Sequence, residues 1–212
     1  MSDRESSVPE QWLTREDERD DALFYSSPRL VTHIDDETIE ALRGFYRERL
    51  ECGSAVLDLM SSWVSHLPEE MAFSRVAGLG MNTEELARNP RLDDYVVHDL
   101  NDQPELPYGD AEFDAVLIAV SVQYLVRPAE VFRSLGRVLR PGGQLIVSMS
   151  HRLFPTKAVR AFRLLAPADR VRLVAAYCSL AGAFEPAEYW DYSPAKADPL
   201  WIVTARRSRV AP

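Results

Sequence analysis

Apolar runs and amphipathic segments alternate along most of this 212-residue chain, and that alternation most constrains its fold. Six short runs are rich in strand-forming residues: 55–59, 74–79, 94–97, 113–119, 144–149 and 200–205. Near-continuous apolar strands are typical of a sheet that is covered on both faces. Strand–helix–strand repetition favours parallel strands joined by right-handed crossovers. The sequence therefore predicts an α/β fold with a Rossmann-like, doubly wound and mostly parallel sheet.

Helical periodicity occupies the intervals between these runs. We predict helices at residues 36–50, 82–88, 128–139, 156–165 and 168–181. Asn82 is a favourable N-cap, Pro128 suits a first turn, and Pro141-Gly142-Gly143 predicts a helix stop. We expect one α/β domain at residues 38–212, preceded by an N-terminal helical extension at residues 1–37 that covers the ligand cleft as a lid.

Charge and composition exclude several classes of partner. The chain has 24 Lys and Arg against 33 Asp and Glu, a net charge of −9. Binding to nucleic acid or to an anionic membrane needs a basic face, so we expect neither. The acidic N-terminus lacks the apolar stretch of a signal peptide, and no apolar run approaches the ~20 residues that span a bilayer. Two cysteines, and four histidines without metal-binding spacing, indicate no metal site and a cytoplasmic protein.

Several motifs follow or contain the predicted strands. In order, they are Val56-Leu-Asp-Leu59, His98-Asp-Leu100, Pro107 followed by Phe113-Asp-Ala-Val-Leu117, and Val138-Leu-Arg-Pro-Gly-Gly-Gln-Leu-Ile-Val147. Together they resemble the class I S-adenosylmethionine-dependent methyltransferases, and in particular the methyltransferase type 11 group. The resemblance covers residues 50–150 and the late strand near residue 200.

The chain departs from that family in the loop after the first strand. The family has three glycines there, and this sequence has Met60, Ser62 and Val64 instead, with Trp63 between them. The family's ribose-binding acid after the second strand is replaced by Gly80. Two hypotheses follow: either the loop takes another backbone shape and still holds the cofactor, or the cofactor site is lost and the fold serves something else.

The resemblance implies S-adenosylmethionine as cofactor and a set of residues around it. Asp99 and the Leu100 backbone N–H would hold the adenine, and Asp58 would lie near the methionine amino group. Each acid also has a structural interpretation, Asp99 as a turn residue and Asp58 as a satisfied strand-end carboxylate. The full expected set is Asp58, Met60, Ser61, Ser62, Trp63, Gly80, Met81, Asn82, Asp99, Leu100 and Val120.

Candidates for catalysis and substrate binding follow from position. His66, His151 and Tyr124 come after strands at the ligand edge and are candidate general bases, although each is equally compatible with a structural role. Residues expected to contact substrate are Tyr25, Arg29 and His33 in the arm, and Arg152 and Lys157 after the fifth strand. The last two belong to a basic stretch that indicates either an anionic substrate group or a solvated face.

The function predicted from the sequence is transfer of a methyl group from S-adenosylmethionine to a small-molecule acceptor. Such transfer depends mostly on alignment of the reacting atoms, with a general base where the acceptor carries a proton. The acceptor atom is left open. The alternatives are a methyltransferase-like fold repurposed for another reaction, and a binding protein without catalysis.

Overall fold

The computed structural model describes residues 8–209. They include one seven-stranded sheet, with the strands, numbered along the chain, in the order β3-β2-β1-β4-β5-β7-β6. The strands are β1 (Ala55–Leu59), β2 (Arg75–Gly80), β3 (Asp94–Val97), β4 (Phe113–Ala119), β5 (Leu139–Met149), β6 (Glu188–Asp191) and β7 (Trp201–Arg206). The helices are α1 (Asp21–Phe24), α2 (Asp36–Arg49), α3 (Thr83–Ala87), α4 (Pro128–Val138), α5 (Arg160–Leu164) and α6 (Pro167–Ala181), with short 3₁₀ turns at Glu10–Trp12 and Val122–Tyr124.

Strands β1 to β5 pair in parallel, whereas β7 runs antiparallel to both β5 and β6. The mostly parallel, doubly wound sheet predicted from the sequence is therefore confirmed. The chain passes from β1 to β2 on one side and later returns to β4 on the other. That reversal makes the carboxyl ends of β1 and β4 the place where such a sheet binds ligands.

Both faces of the sheet are covered by apolar packing. Alternate residues of β1 face opposite layers, with Leu57 on one side and Val56 on the other. Helices α4 and α6 cover the first layer, where the Phe132 and Tyr177 rings lie 5.4 Å apart. Helix α2 covers the second layer through residues such as Phe45. This double burial explains why the central strands have continuous apolar sequences.

Three elements differ from the sequence-based expectation. Strand β6 has the sequence Glu-Tyr-Trp-Asp and lies at the sheet edge, so it has no apolar run to reveal it. Helix α5 begins at Arg160, four residues later than predicted. Strand β5 starts at Leu139 and includes the glycine pair, where Gly142 has a φ of +82°. The Pro-Gly-Gly segment therefore ends helix α4 and also forms an irregular start to the next strand.

Within residues 8–209, no helix is both long and apolar enough to cross a bilayer.

Candidate active site

A cavity of about 1140 Å³, counting its open mouth, lies at the carboxyl ends of β1 to β4. All eleven expected cofactor residues line it, together with Tyr25, Arg29, His33, His66 and Tyr124. Residues that the sequence analysis did not single out also line it, and they include Asp21, Glu85, Asn101, Ser121 and Phe154. The strand ends thus place in one cavity residues that are far apart in sequence.

The loop after β1 keeps a glycine-like backbone without glycine. Met60 occupies the first glycine position and has a φ of +58°, in the left-handed region that favours glycine. The Ser61 backbone N–H then donates a hydrogen bond to the Leu79 carbonyl at 2.8 Å, which holds the loop against β2. The absence of the family's glycines has therefore not removed the turn that the first of them normally makes.

The close approach of this loop explains why residue 80 is glycine. A Cβ atom at Gly80 would lie 2.3 Å from the Ser61 carbonyl oxygen, so no side chain fits there. Asn82, which also lines the cavity, already has partners on both atoms of its amide. Its Oδ1 accepts from the Glu85 N–H at 3.1 Å, and its Nδ2 donates to the Tyr25 carbonyl at 2.8 Å.

Glu85, in the first turn of α3, places a carboxylate in this part of the cavity. Its Oε1 accepts a hydrogen bond from the Arg29 N–H at 2.7 Å, and its Oε2 accepts one from the Ser62 hydroxyl at 2.6 Å. The side chain is buried and joins the N-terminal arm to the loop after β1. Sequence reasoning missed this role because an acid three residues after Asn82 is also what a helix N-terminus favours.

Two aspartates mark the ends of β1 and β3. Asp58 is fully buried, and burial raises the pKa of its carboxyl to about 6, although the Ser61 hydroxyl donates to it at 2.6 Å. Asp99 is half-buried, and its pKa is also raised by burial. One oxygen of Asp99 accepts from the Asn101 N–H at 2.8 Å. The turn role is therefore real, and Asp99 nevertheless lines the cavity.

His66 and Ser121 differ from the other polar residues of the cavity. Both are about nine-tenths buried, and neither His66 Nδ1 nor Ser121 Oγ has a hydrogen-bond partner within residues 8–209. Burial, with smaller contributions from Arg43 and His33, lowers the pKa of His66 to about 4. The imidazole is therefore neutral at physiological pH. His66 also has a φ of +53°, an uncommon conformation for a residue other than glycine.

Tyr124 lines the cavity but is poorly suited to act as a base. Its hydroxyl accepts a hydrogen bond from the Phe154 N–H at 2.9 Å, and burial raises its pKa above the ordinary value. Its ring stacks against Phe154 at 5.8 Å. The structure thus gives Tyr124 a positioning role for Phe154.

The segment from residue 60 to residue 147, which begins at the glycine-free loop and ends in β5, matches the family model described as a methyltransferase domain. The strand order of the sheet agrees with that match. Residues 60–147 of this chain are therefore similar to a methyltransferase domain.

Two curated relatives are similar to part of this chain. The 27-O-demethylrifamycin SV methyltransferase of Amycolatopsis mediterranei is 38% identical over 105 residues, which are 47% of this chain and 37% of the relative. Methyltransferase GfsG of Streptomyces halstedii is 33% identical over 113 residues, covering 48% and 40% of the two chains. The matched segments therefore span less than half the length of these relatives.

Solved structures share the fold of this chain at low sequence identity. The [4+2]-cyclase SpnF has a TM-score of 0.61 at 18% identity and covers 86% of this chain and 90% of its own. The Haemonchus contortus phosphoethanolamine N-methyltransferase 2, in complex with S-adenosyl-L-methionine, has a TM-score of 0.58 at 15% identity and covers 80% and 52%. At these identities the likeness shows the fold alone.

Three of the predicted site residues lie away from the cavity. His151 and Arg152 are exposed and pair with Asp198, at 3.2 Å and 3.0 Å. Lys157 is buried, with its Nζ 2.9 Å from an Asp21 carboxylate oxygen and donating to the Arg19 carbonyl at 2.6 Å. The expected basic helical face does not form because α5 begins only at Arg160. These placements leave Arg152 and Lys157 outside the cavity, and an anionic group on the substrate stays a prediction.

Proposed function

We propose that this protein transfers a methyl group from S-adenosylmethionine to a small-molecule acceptor. One observation carries the proposal: every residue that the resemblance assigned to the cofactor lines a single cavity at the switch point of the sheet. The family match and the two curated relatives, both named as methyltransferases, support it. The rifamycin-related name of one relative also supports a small-molecule acceptor.

The residues of the cavity fit the cofactor, with one change from the family pattern. Asp58 and Asp99 stand where acids are expected, and Met60 supplies the backbone turn. The ribose acid has moved, because Gly80 has no room for a side chain. Glu85 lines the same cavity and is our candidate for that role, since each of its oxygens has a second lone pair free to accept.

When bound, the cofactor supplies an electrophilic methyl group on a positively charged sulfur. The carboxylates of Asp99 and Glu85 favour a cation in this part of the cavity. The arm residues Tyr25 and Arg29 line the same cavity and would limit the access of water there. The chain's own contribution is thus to align the reactants in a partly dry site, which such a transfer chiefly requires.

The test is calorimetric titration of the protein with S-adenosylmethionine and S-adenosylhomocysteine, comparing wild type with Asp99→Asn. We expect wild type to bind both and the variant to bind about 10–100-fold more weakly, since a hydrogen bond to a charged group contributes ~1.5–3 kcal/mol. The matched control is Asp102→Asn, an exposed acid in the same segment, which should bind as wild type does. No binding by folded wild-type protein at millimolar ligand would overturn the proposal.

A second candidate function is a reaction without methyl transfer in the same cavity. The observation that favours it is the loss of the ribose acid at Gly80, together with the absence of the three glycines. It predicts that cofactor binding is absent, or that the bound cofactor is never consumed. Quantifying S-adenosylhomocysteine after incubation with candidate acceptors separates the two functions.

A further inference from the structure

Two residues that line the cavity each have a buried side-chain polar atom with no hydrogen-bond partner within residues 8–209. The two atoms are His66 Nδ1 and Ser121 Oγ. Nine buried side-chain polar atoms lack a partner in the described part of the chain, and only these two belong to residues that line the cavity. Because buried polar groups in native proteins nearly always have a partner, an unpartnered pair in one cavity indicates polar groups that a ligand supplies.

The two residues come from the central crevice of the sheet. His66 lies in the loop that follows β1, seven residues beyond Leu59, and Ser121 lies two residues beyond β4. The two strands are neighbours, with Leu59 paired to Ile118 near their carboxyl ends. His66 and Val120, next to Ser121, have φ values of +53° and +50°. Strained backbone of this kind is retained where the surrounding structure fixes a side chain for function.

The charge state of the pair restricts the ligand group that fits. The buried imidazole is neutral, because burial and the positive charge of Arg43 disfavour its protonated form. A neutral imidazole accepts one hydrogen bond, and a serine hydroxyl both donates and accepts. A ligand hydroxyl complements both groups, since it donates to the imidazole and accepts from Ser121. A cationic amine is disfavoured by Arg43.

We propose that His66 and Ser121 form the acceptor subsite and that it takes a neutral hydroxyl group on an apolar small molecule, so that methyl is transferred to oxygen. The surrounding wall includes Val64, Trp63 and Phe154, which suit an apolar or aromatic body. This inference rests on the proposed function and adds the acceptor atom, which the sequence analysis left open.

The proton and electron balance of the step is complete within this site. The hydroxyl oxygen forms the new bond to the methyl carbon, the carbon–sulfur bond breaks with its electron pair left on sulfur, and the hydroxyl proton passes to His66. The positive charge thus moves from sulfur to the imidazole, and no net charge is created in the cavity. The lowered pKa of His66 then favours release of that proton to water when the site opens.

The experiment uses protein saturated with S-adenosylhomocysteine and three probes that share one ring system: 2-naphthol, 2-naphthoate and 2-naphthylmethylamine. The first readout is the shift of the His66 ring signals in NMR spectra of protein with isotope-labelled histidine. The second is the dissociation constant of each probe by calorimetry. We expect 2-naphthol to shift the His66 signals and to bind at least 10-fold more tightly than the other two probes.

The variants are His66→Asn and Ser121→Ala. Asparagine tolerates a positive φ, so His66→Asn removes the base without imposing a new backbone. We expect His66→Asn to lower kcat for naphthol methylation about 100-fold or more, as loss of a general base does. We expect Ser121→Ala to weaken naphthol binding about 10-fold. The control is Ser150→Ala, another buried serine with an unpartnered hydroxyl but outside the cavity, which should match wild type.

Affinity for S-adenosylhomocysteine separates this inference from the proposed function. If wild type binds S-adenosylhomocysteine but 2-naphthol leaves the His66 signals unshifted, or the amine or carboxylate binds more tightly, the hydroxyl subsite is wrong. It is equally wrong if both variants lose S-adenosylhomocysteine affinity as strongly as naphthol affinity, because the two residues then hold the cofactor. If wild type binds no S-adenosylhomocysteine at all, the proposed function fails, and the subsite that rests on it falls too.

Discussion

The two halves of the N-terminal arm contact the domain in different ways. The inner segment (residues 14–21) forms two backbone hydrogen bonds near the start of α5. The Asp17 N–H donates to the Thr156 carbonyl, and the Arg160 N–H donates to the Thr14 carbonyl. Within this segment, the side chain of Asp21 is 5% exposed and forms an ion pair with Lys157, which is 1% exposed. The outer segment (residues 22–34) is far more open, with Leu23 69% exposed and Val31 57% exposed.

Charged side chains of the inner segment pair in one cluster. Arg15 Nη1 lies 2.7 Å from Asp21, and Lys157 Nζ lies between Asp21 at 2.9 Å and Asp17 at 3.7 Å. Arg19 also pairs with Asp17, at 2.8 Å, so three cations and two aspartates share one site. Removing one partner from such a cluster leaves a buried charge without compensation, which is costly. The inner segment is thus a fixed anchor.

The outer segment is held over the cavity by a few hydrogen bonds and by edge-to-face contacts of Phe24 and His33 with the Phe154 ring, and only its last residue, Ile34, is buried. The Arg29 N–H donates to Glu85 at 2.7 Å, and the Trp63 Nε1–H donates to the Val31 carbonyl at 3.1 Å. Segments with few buried apolar contacts open at low free-energy cost. We therefore propose that the outer segment is the lid and that the inner segment stays in place when it moves. The comparison teaches that one arm can combine a rigid attachment with a movable cover.

The largest expected effect comes from breaking the anchor with Lys157→Met. The variant keeps the length of the side chain but leaves Asp21 and Asp17 short of a cation, so we expect a loss of about 3–5 kcal/mol in the free energy of unfolding. Urea denaturation measures it. The chain has one other lysine, the exposed Lys196, and Lys196→Met should change stability by less than about 0.5 kcal/mol. Equal losses in the two variants would show that Lys157 is not an anchor.

A smaller effect should appear as a pH dependence of the anchor. Burial tends to raise the pKa of Asp21, but hydrogen bonds from Asn101, Lys157 and Arg15 outweigh it and lower the pKa below the ordinary 3.8. A lowered pKa in the folded state stabilises the protein above the unfolded pKa, and that stability disappears as pH falls through the folded value.

The measurement is the melting temperature of wild type and of Asp21→Asn from pH 7 to pH 3. Wild type should be more stable by a constant margin above about pH 5, and the margin should shrink below about pH 4. A margin that stays constant down to pH 3 would mean that the Asp21 carboxylate contributes nothing through its charge.

The smallest expected effect concerns the attachment of the outer segment through Glu85. Glu85→Gln keeps the shape of the side chain but weakens its hydrogen bonds to Arg29 and Ser62, so we expect a loss of about 1 kcal/mol. Amide hydrogen exchange should show faster exchange at Arg29 and unchanged exchange at Asp17 in the anchor. The control Glu84→Gln alters an exposed neighbour on the same helix and should leave Arg29 as it is in wild type. Faster exchange at both amides would show that the two segments open together, which would contradict a separate lid.

Much of the fold was predictable because it depends on local pattern. Strands β1 and β4 were predicted with their observed bounds, since residues buried on both faces must be apolar along the whole strand. Helix α2 was predicted from the helical spacing of its apolar residues to within one residue. The edge strand β6 has no such requirement, because only part of its surface is buried, and it was missed.

The site was predictable where residues directly follow strands. The carboxyl ends of parallel strands meet at one edge, so Asp58, Gly80 and Asp99 lie around one cavity whatever the loops do. Glu85 and Ser121 could not be singled out, because their roles depend on contacts with groups distant in sequence or on the absence of a partner. Whether the eleven residues bind the cofactor stays a prediction.

Alternation of apolar and amphipathic segments by itself determined the sheet and the edge that holds the ligand cavity. Only the tertiary structure decided that Lys157 is an anchor for the arm rather than a substrate contact, and that His66 and Ser121 are left without partners. The physical reason is that burial and pairing are sums over neighbours from separate segments. A sequence specifies what each side chain can do, and packing specifies which other groups are present when it does so.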